Sequence, residues 1–315
     1  MKYQLFTYAD ATGAAGTGIA VNQRLFSLTG VAKGSPLAGR SVMQLLEHWD
    51  SSHERLWAVA NELALSPRKF IAEALDPDSI VFLAPVTDPG AIYAAGANYR
   101  DHVEAMGRAF KQTLVLDPKA DGIPPWHFLK AGKGTLAAHR EAVRFPGHTA
   151  MLDWEAELAV VIGRRASKVS VDDALQYVAG YSCANDLSAR DNLRRDKVDV
   201  SSPFRFDWLG HKCFDGSCPM GPFLTPAAFV ESPEDLNIKL WLNGELKQDS
   251  NTRNHLYGVA DQIAYLSHRL DLYPGDIILT GTPAGVGMES GTFLKRGDVV
   301  RVWIEGLGEL ETAIA

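Results

Sequence analysis

Apolar positions in this chain fall into short runs and strict alternations more often than into long helical stripes. Leu158-Ala159-Val160-Val161-Ile162 is unbroken apolar sequence stopped by Gly163, the pattern of a strand covered on both faces. Leu236-Asn237-Ile238-Lys239-Leu240-Trp241 alternates up to Asn243-Gly244, a dipeptide that favours a tight hairpin turn. Ile277-Ile278-Leu279 and Val299 to Ile304 read as two more strands. Gly18 to Val21 and Leu25 to Leu28 flank the polar Asn22-Gln23-Arg24 and predict an early hairpin. Helical spacing is clear in three places. One helix starts at about Glu54, with Leu56, Trp57, Ala60 and Leu63 on one face. A second covers 171–179, capped by Ser170 with Asp172 and Asp173 at its positive end. The third carries Leu256, Val259, Ile263, Leu266 and Leu270 and stops before Pro274-Gly275.

Around Asp76-Pro77-Asp78 and from Pro85 to Pro89 the chain turns rich in Pro, Asp and Gly, which predicts a boundary. Residues 1–80 then form a small N-terminal α+β domain and 81–315 the main domain. Strands and helices do not alternate regularly, so the expected class is α+β and β-rich rather than a doubly wound sheet.

Charge narrows the partners. Thirty-one Lys+Arg against 38 Asp+Glu leave a net charge of −7, which gives no general attraction for nucleic acid or an anionic membrane. Three cysteines do not make a disulfide framework and suit a reducing compartment. The segment from Met1 to Asp10 has no apolar core, and no apolar run reaches the roughly 20 residues that span a bilayer. The expected location is the cytoplasm.

The most informative segment is Leu152-Asp153-Trp154-Glu155-Ala156-Glu157-Leu158, which leads straight into the apolar strand. On a strand, Glu155 and Glu157 point the same way, about 7 Å apart, and Asp153 shares their parity. Carboxylates on one face beside a buried strand repel one another strongly. Exposure to water, raised pKa values or a bound cation can each relieve that repulsion. If a cation does so, an all-oxygen cluster selects Mg²⁺ or Mn²⁺, with Ca²⁺ admissible in vitro, over zinc. Asn185-Asp186 is the best candidate for a third oxygen ligand. His211-x-Cys213 with Cys218 lacks the spacing and the fourth ligand of a zinc site.

The stretch Asp153 to Gly163 resembles the metal-binding strand of the fumarylacetoacetate hydrolase family, as does Gly180-Tyr181 followed by Asn185-Asp186-Leu187-Ser188-Ala189-Arg190-Asp191. Further family-like pieces follow in the family's order: Asn98-Tyr99-Arg100-Asp101-His102, Phe128-Leu129-Lys130, His211 to Asp215, Pro219 to Pro222, Asn243-Gly244-Glu245, and Pro274-Gly275-Asp276 with Thr280 to Gly287. Together they cover about residue 90 to the end.

The resemblance implies a C-terminal roll of mixed β-sheets around a buried site, a small variable N-terminal part, and a homodimer. By motif, Glu155, Glu157 and Asp186 match the metal ligands, the metal being Mg²⁺ or Mn²⁺. Lys130, Arg190 and Lys212 match the cations that face the substrate, and Thr282 matches a substrate contact. His102 matches the water-activating histidine. Where several members carry a glutamate to orient that histidine, this chain has Ala105, with Glu104 beside it or an acid from elsewhere as the stand-in. Leu193 replaces a glutamine found in many members, and Arg194 to Leu209, including Trp208, reads as a specificity loop. The implied activity is metal-dependent hydrolysis of a C–C bond in a 2,4-dioxo acid of the acylpyruvate or fumarylpyruvate kind. Isomerisation, hydration or decarboxylation of a related 2-oxo acid, oxaloacetate among them, is the rival use of the same site. A binding protein that holds a metal and a 2-oxo acid without turnover is the third reading.

Overall fold

A computed structural model describes residues 1–111 and 113–315. Its backbone is organised by a twelve-stranded mixed sheet, a five-stranded sheet and a two-stranded one, with no closed barrel among the described residues. The expected β-rich α+β class is the class observed. At the centre of the large sheet, Ala156–Ile162 pairs antiparallel with Val178–Asn185 on one side and with Ile277–Leu279 on the other. Ile277–Leu279 in turn runs parallel to Ile92–Ala95, which pairs with His127–Lys130.

The apolar run is continuous because both faces of its strand are covered. Leu158, Val160 and Ile162 enter the core beneath the five-stranded sheet, while Ala159 and Val161 enter a second core shared with the N-terminal residues. In that second core, Leu5, Ile19, Phe26, Leu45 and Leu56 meet Val161, Leu224 and Ile277. Strand Gln4–Ala9 also joins the large sheet directly, with Leu5 opposite Leu224. Residues 1–80 and the rest of the chain thus share a sheet and a core.

The N-terminal hairpin forms between Ala15–Val21 and Arg24–Ser27. Its turn is only Asn22-Gln23, with φ of 50° and 63°, so Arg24 already lies in the strand. Positive φ at both turn positions matches the twist of the flanking strands. Leu28 opens a short helix instead of ending the strand. The hairpin at Asn243-Gly244 joins Asn237–Leu242 to Glu245–Asn251.

The helices differ in detail from expectation. The first long helix is Trp49–Leu65, beginning before Glu54, and it buries Trp49, Leu56, Ala60 and Leu63. Trp57 is 48% exposed, because it sits one step off that stripe. Residues 171–179 hold only a single 3₁₀ turn, Ala174–Tyr177. There the Ser170 hydroxyl closes a local loop with Asp173, and Val178 is already paired in the strand. The third expected helix is Val259–Ser267, shorter than its stripe: Leu256 precedes it, and Leu270 lies beyond its end, 45% exposed. Among the described residues, no helix is long and apolar enough to cross a membrane.

The carboxylate segment is not one continuous strand. Leu152–Asp153 pairs with Ser188–Ala189, and regular pairing resumes only at Ala156. Between them, side chains replace the ladder. Asn185 Oδ1 accepts the Glu155 N–H at 3.0 Å, and Gln248 Oε1 accepts the Ala156 N–H at 2.9 Å.

Candidate metal and 2-oxo acid site

Glu155, Glu157 and Asp186 are buried, and one carboxylate oxygen from each lies within 4.8 Å of the others. Chain pairing builds this triad. Asp186 follows the strand beside Ala156–Ile162, and its N–H donates to the Glu155 carbonyl at 2.9 Å. Glu157 stands on the strand itself, sharing parity with Ala159 and Val161.

Three cations close around the acids. Lys130 Nζ donates to Asp186 Oδ1 at 2.5 Å and to the Lys212 carbonyl at 2.6 Å. Lys212 Nζ reaches Glu155 Oε2 and Asp186 Oδ2, both at 2.7 Å. Arg190 spans Asp153 Oδ2 at 2.7 Å and Glu155 Oε1 at 2.6 Å. Burial alone would raise the Glu155 carboxyl, but the Lys212 and Arg190 charges override it and hold the group well below the usual carboxylate range. Glu157 is different. Burial, reinforced by the charges of Asp186 and Glu155, pushes it well above its ordinary value. Among the described residues, only the Gly281 N–H, at 2.7 Å, donates to its Oε2, and Oε1 has no hydrogen-bond partner.

That partnerless buried oxygen tests the triad as a cation site. Buried acceptors are normally satisfied, and this one adjoins two other carboxylates in an all-oxygen set. A hard divalent cation fits the donors and would relieve both the repulsion and the orphaned oxygen. Asp153 stands apart from the triad despite its parity. It takes the Arg190 guanidinium and the N–H groups of Trp154, Gly287 and Met288, so it fixes Arg190 and the turn at Gly287. The strand break at Trp154-Glu155 is what separates it from the other acids.

His102 lies buried on the helix Arg100–Phe110, and Asn98 just ahead of that helix bonds to the Thr280 carbonyl, next to the Gly281 N–H that donates to Glu157. The His102 Nδ1 is 2.8 Å from Glu289 Oε1, and Glu289 Oε2 accepts the Gly285 N–H at 2.8 Å. Glu104, the expected stand-in, is exposed instead. Two positions along a helix turn it about 200° away from His102, so Glu289 takes that place from the far end of the chain. Asp101 ties the same helix to the strand Glu245–Asn251 by accepting the Ser250 hydroxyl at 2.5 Å.

Thr282 is buried, and its hydroxyl accepts from Gln248 Nε2 at 2.9 Å. Gln248 also donates to the Pro283 carbonyl, so this one side chain ties Ala156 to the 282–283 turn. Asn98 donates to the Thr280 and Tyr257 carbonyls and holds the start of the His102 segment beside that turn. Gly281, at φ +99°, leaves no room for a side chain, since a Cβ would stand 2.8 Å from that of Asn98. Neither Glu289 nor Gln248 carries a local sequence signal, whereas Asn98 sits in the stretch that carried the resemblance. His211, Cys213 and Cys218 form no metal cluster among the described residues: His211 Nδ1 donates to the Ala189 carbonyl and Cys213 contacts the Leu129 carbonyl.

The sequence profile of the fumarylacetoacetate (FAA) hydrolase C-terminal family matches residues 91–315. The mitochondrial oxaloacetate tautomerase Fahd2a of Rattus norvegicus is 36% identical over 277 residues, covering 87% of this chain and 79% of its own. The fumarylacetoacetate hydrolase of Exiguobacterium antarcticum superposes with a TM-score of 0.75 at 27% identity, covering 99% of both chains. A maleylpyruvate hydrolase of Sphingobium, solved with manganese(II) and pyruvate, shares the fold at a TM-score of 0.72 and 24% identity, over 99% of this chain and 98% of that one. The mitochondrial relative lends no support to a cytoplasmic location. With its profile, its relatives and its fold in agreement, the chain belongs to the fumarylacetoacetate hydrolase family.

Proposed function

We propose that this chain is a divalent-metal-dependent enzyme that moves a proton at the carbon beside the oxo group of a small 2-oxo acid, interconverting its keto and enol forms. The observation that carries the reading is the His102–Glu289 pair set beside the buried Glu155, Glu157 and Asp186. Similarity to an oxaloacetate tautomerase over most of both chains supports the choice of reaction.

Glu155, Glu157 and Asp186 would hold Mg²⁺ or Mn²⁺, which supplies Lewis-acid polarisation of the bound oxo acid. Lys130, Lys212 and Arg190 offset the negative charge that gathers when an anionic acid enters beside three carboxylates. Thr282 and its turn border the same site. Glu289, as a carboxylate, accepts from His102 Nδ1–H, which leaves Nε2 as the free base. Nε2 takes the carbon-bound proton, Glu289 steadies the imidazolium, and the proton returns to carbon or to the enol oxygen.

The same pair favours a second reading. An imidazole held by a carboxylate also activates water, as hydrolysis of a C–C bond in a 2,4-dioxo acid requires. We place either reaction in a homodimer, acting on a small molecule in the cytoplasm, without nucleic acid or membrane as partner.

Oxaloacetate enol decay, followed by its ultraviolet absorbance with Mg²⁺ or Mn²⁺ and then with chelator, separates the readings when run beside acetylpyruvate. Metal-dependent acceleration of enol decay without bond cleavage is the expected result. Release of equal acetate and pyruvate from acetylpyruvate would move the assignment to hydrolysis. Glu157→Ala is expected to abolish Mn²⁺ binding in calorimetry and nearly all turnover. Metal-stimulated activity retained in that variant would remove Glu157 from the ligand set.

A further inference from the structure

Two elements deliver a lysine to the carboxylates, and each carries an aromatic ring one repeat behind it. Along the extended segment ending in His127–Lys130, residues 126, 128 and 130 share one face. The Lys130 ammonium ends at Asp186, and the Phe128 and Trp126 rings follow behind it. On the helix Trp208–Lys212, positions 208 and 212 stand one turn apart. Lys212 Nζ touches Glu155 and Asp186 and lies 5.0 Å from the Phe128 ring centre.

These rings form one surface. Trp208 stacks on Phe128 with centres 5.5 Å apart and planes 24° apart, and Trp126 stands 4.7 Å from Trp208. Gly96 makes room for the outer ring, since a Cβ there would fall 2.0 Å from Trp126. The Gly96 N–H also donates to the Trp126 carbonyl at 3.1 Å, which holds the ring against the segment leading to His102. Trp126 is 46% exposed, so the surface runs from the buried lysines out to solvent. Rings placed only for packing would gain more from full burial.

We propose that Trp126, Phe128 and Trp208 are the specificity surface for the far end of the substrate, so that the site prefers 2-oxo acids bearing a flat, apolar group. This rests on the 2-oxo acid reading given above. The carboxylate and oxo group are held among Lys130, Lys212 and Arg190, and the rest of the molecule lies along the rings. Trp126 and Trp208 act as specificity-determining residues, without a part in proton transfer.

Calorimetric titration of the Mg²⁺-loaded protein with pyruvate and with phenylpyruvate tests this, with tryptophan fluorescence as a second readout. Phenylpyruvate is expected to bind about tenfold more tightly than pyruvate and to quench fluorescence where pyruvate does not. Trp208→Ala is expected to erase that advantage and leave pyruvate affinity unchanged, while Trp208→Phe retains most of it. Unchanged pyruvate binding also reports that the variant is folded. If Trp208→Ala loses pyruvate binding as well, Trp126→Ala, at a half-exposed position, carries the test. Equal affinities for the two acids, or an advantage that survives both alanine variants, would overturn the aromatic surface alone. Failure of both acids to bind would overturn the 2-oxo acid reading and this inference with it.

Discussion

Glu289 accepts hydrogen bonds from two groups at once, the His102 ring and the Gly285 N–H, and so couples the proposed base to the turn that carries it. Glu289→Gln keeps the volume but loses the charge that would stabilise an imidazolium. The expected outcome is a fall in kcat of about 10², within the range for acid–base groups, with Mn²⁺ affinity unchanged. Steady-state kinetics beside metal titration would show it, and an unaltered kcat would leave Glu289 a structural tie only. The grouping of Glu155, Glu157 and Asp186 was legible through the family-like motifs that carry them, whereas strand parity alone includes Asp153 as readily. Glu289 was not legible, since it stands 187 residues from His102 on a helix of four residues with no periodicity to flag it. Asp153 shares the parity of Glu155 and Glu157 yet stands outside the triad. Asn185 and Gln248 satisfy the backbone on either side of Glu155, and the strand breaks there.

Helix Trp49–Leu65 shows how element-scale patterns succeed and fail. Leu56, Ala60 and Leu63 are spaced as a buried stripe must be, and they are buried. Trp57 is apolar but one residue out of phase, and its exposure follows from helix geometry. Leu56→Ala is therefore expected to cost about 2–5 kcal/mol in urea unfolding, while Trp57→Ala costs about 0.5 kcal/mol or less. A similar loss from both would mean that the helix presents a different face. The stretch 171–179 failed as a helix because capping chemistry at Ser170 works equally well in a single turn. What decides between them is the strand partner waiting at Val178, and no local pattern announces it.

Two histidines tie the stability of the whole molecule to pH. Burial pulls both His127 and His139 down to about 4, and the Arg140 charge adds to the effect on His139. Protonation would cost His139 the N–H it accepts from Glu311, and would place a charge on His127 where burial strips it of water. In the unfolded chain both return to about 6.5 and bind protons that the folded protein refuses. Their contribution is thus complete above pH 6.5 and shrinks as pH falls toward 4. Tm measured across that window should drop more steeply for the wild type than for a His127→Gln, His139→Gln double variant. Parallel profiles would assign the acid sensitivity to other groups. The order of family-like segments made the catalytic body legible from about residue 90 onward. How the first 80 residues attach was not legible, because strand order belongs to the folded chain.

That attachment bears on how such proteins diverge. Strand Gln4–Ala9 meets Cys218–Pro226 at the Leu5–Leu224 pair, and Leu5, Phe26 and Leu56 fill one core with Val161, Leu224 and Ile277. A front part grafted from a relative must match both that pairing and the shared packing to be tolerated. Core substitutions on the two sides of the join are therefore expected to compensate one another, because they fill the same space.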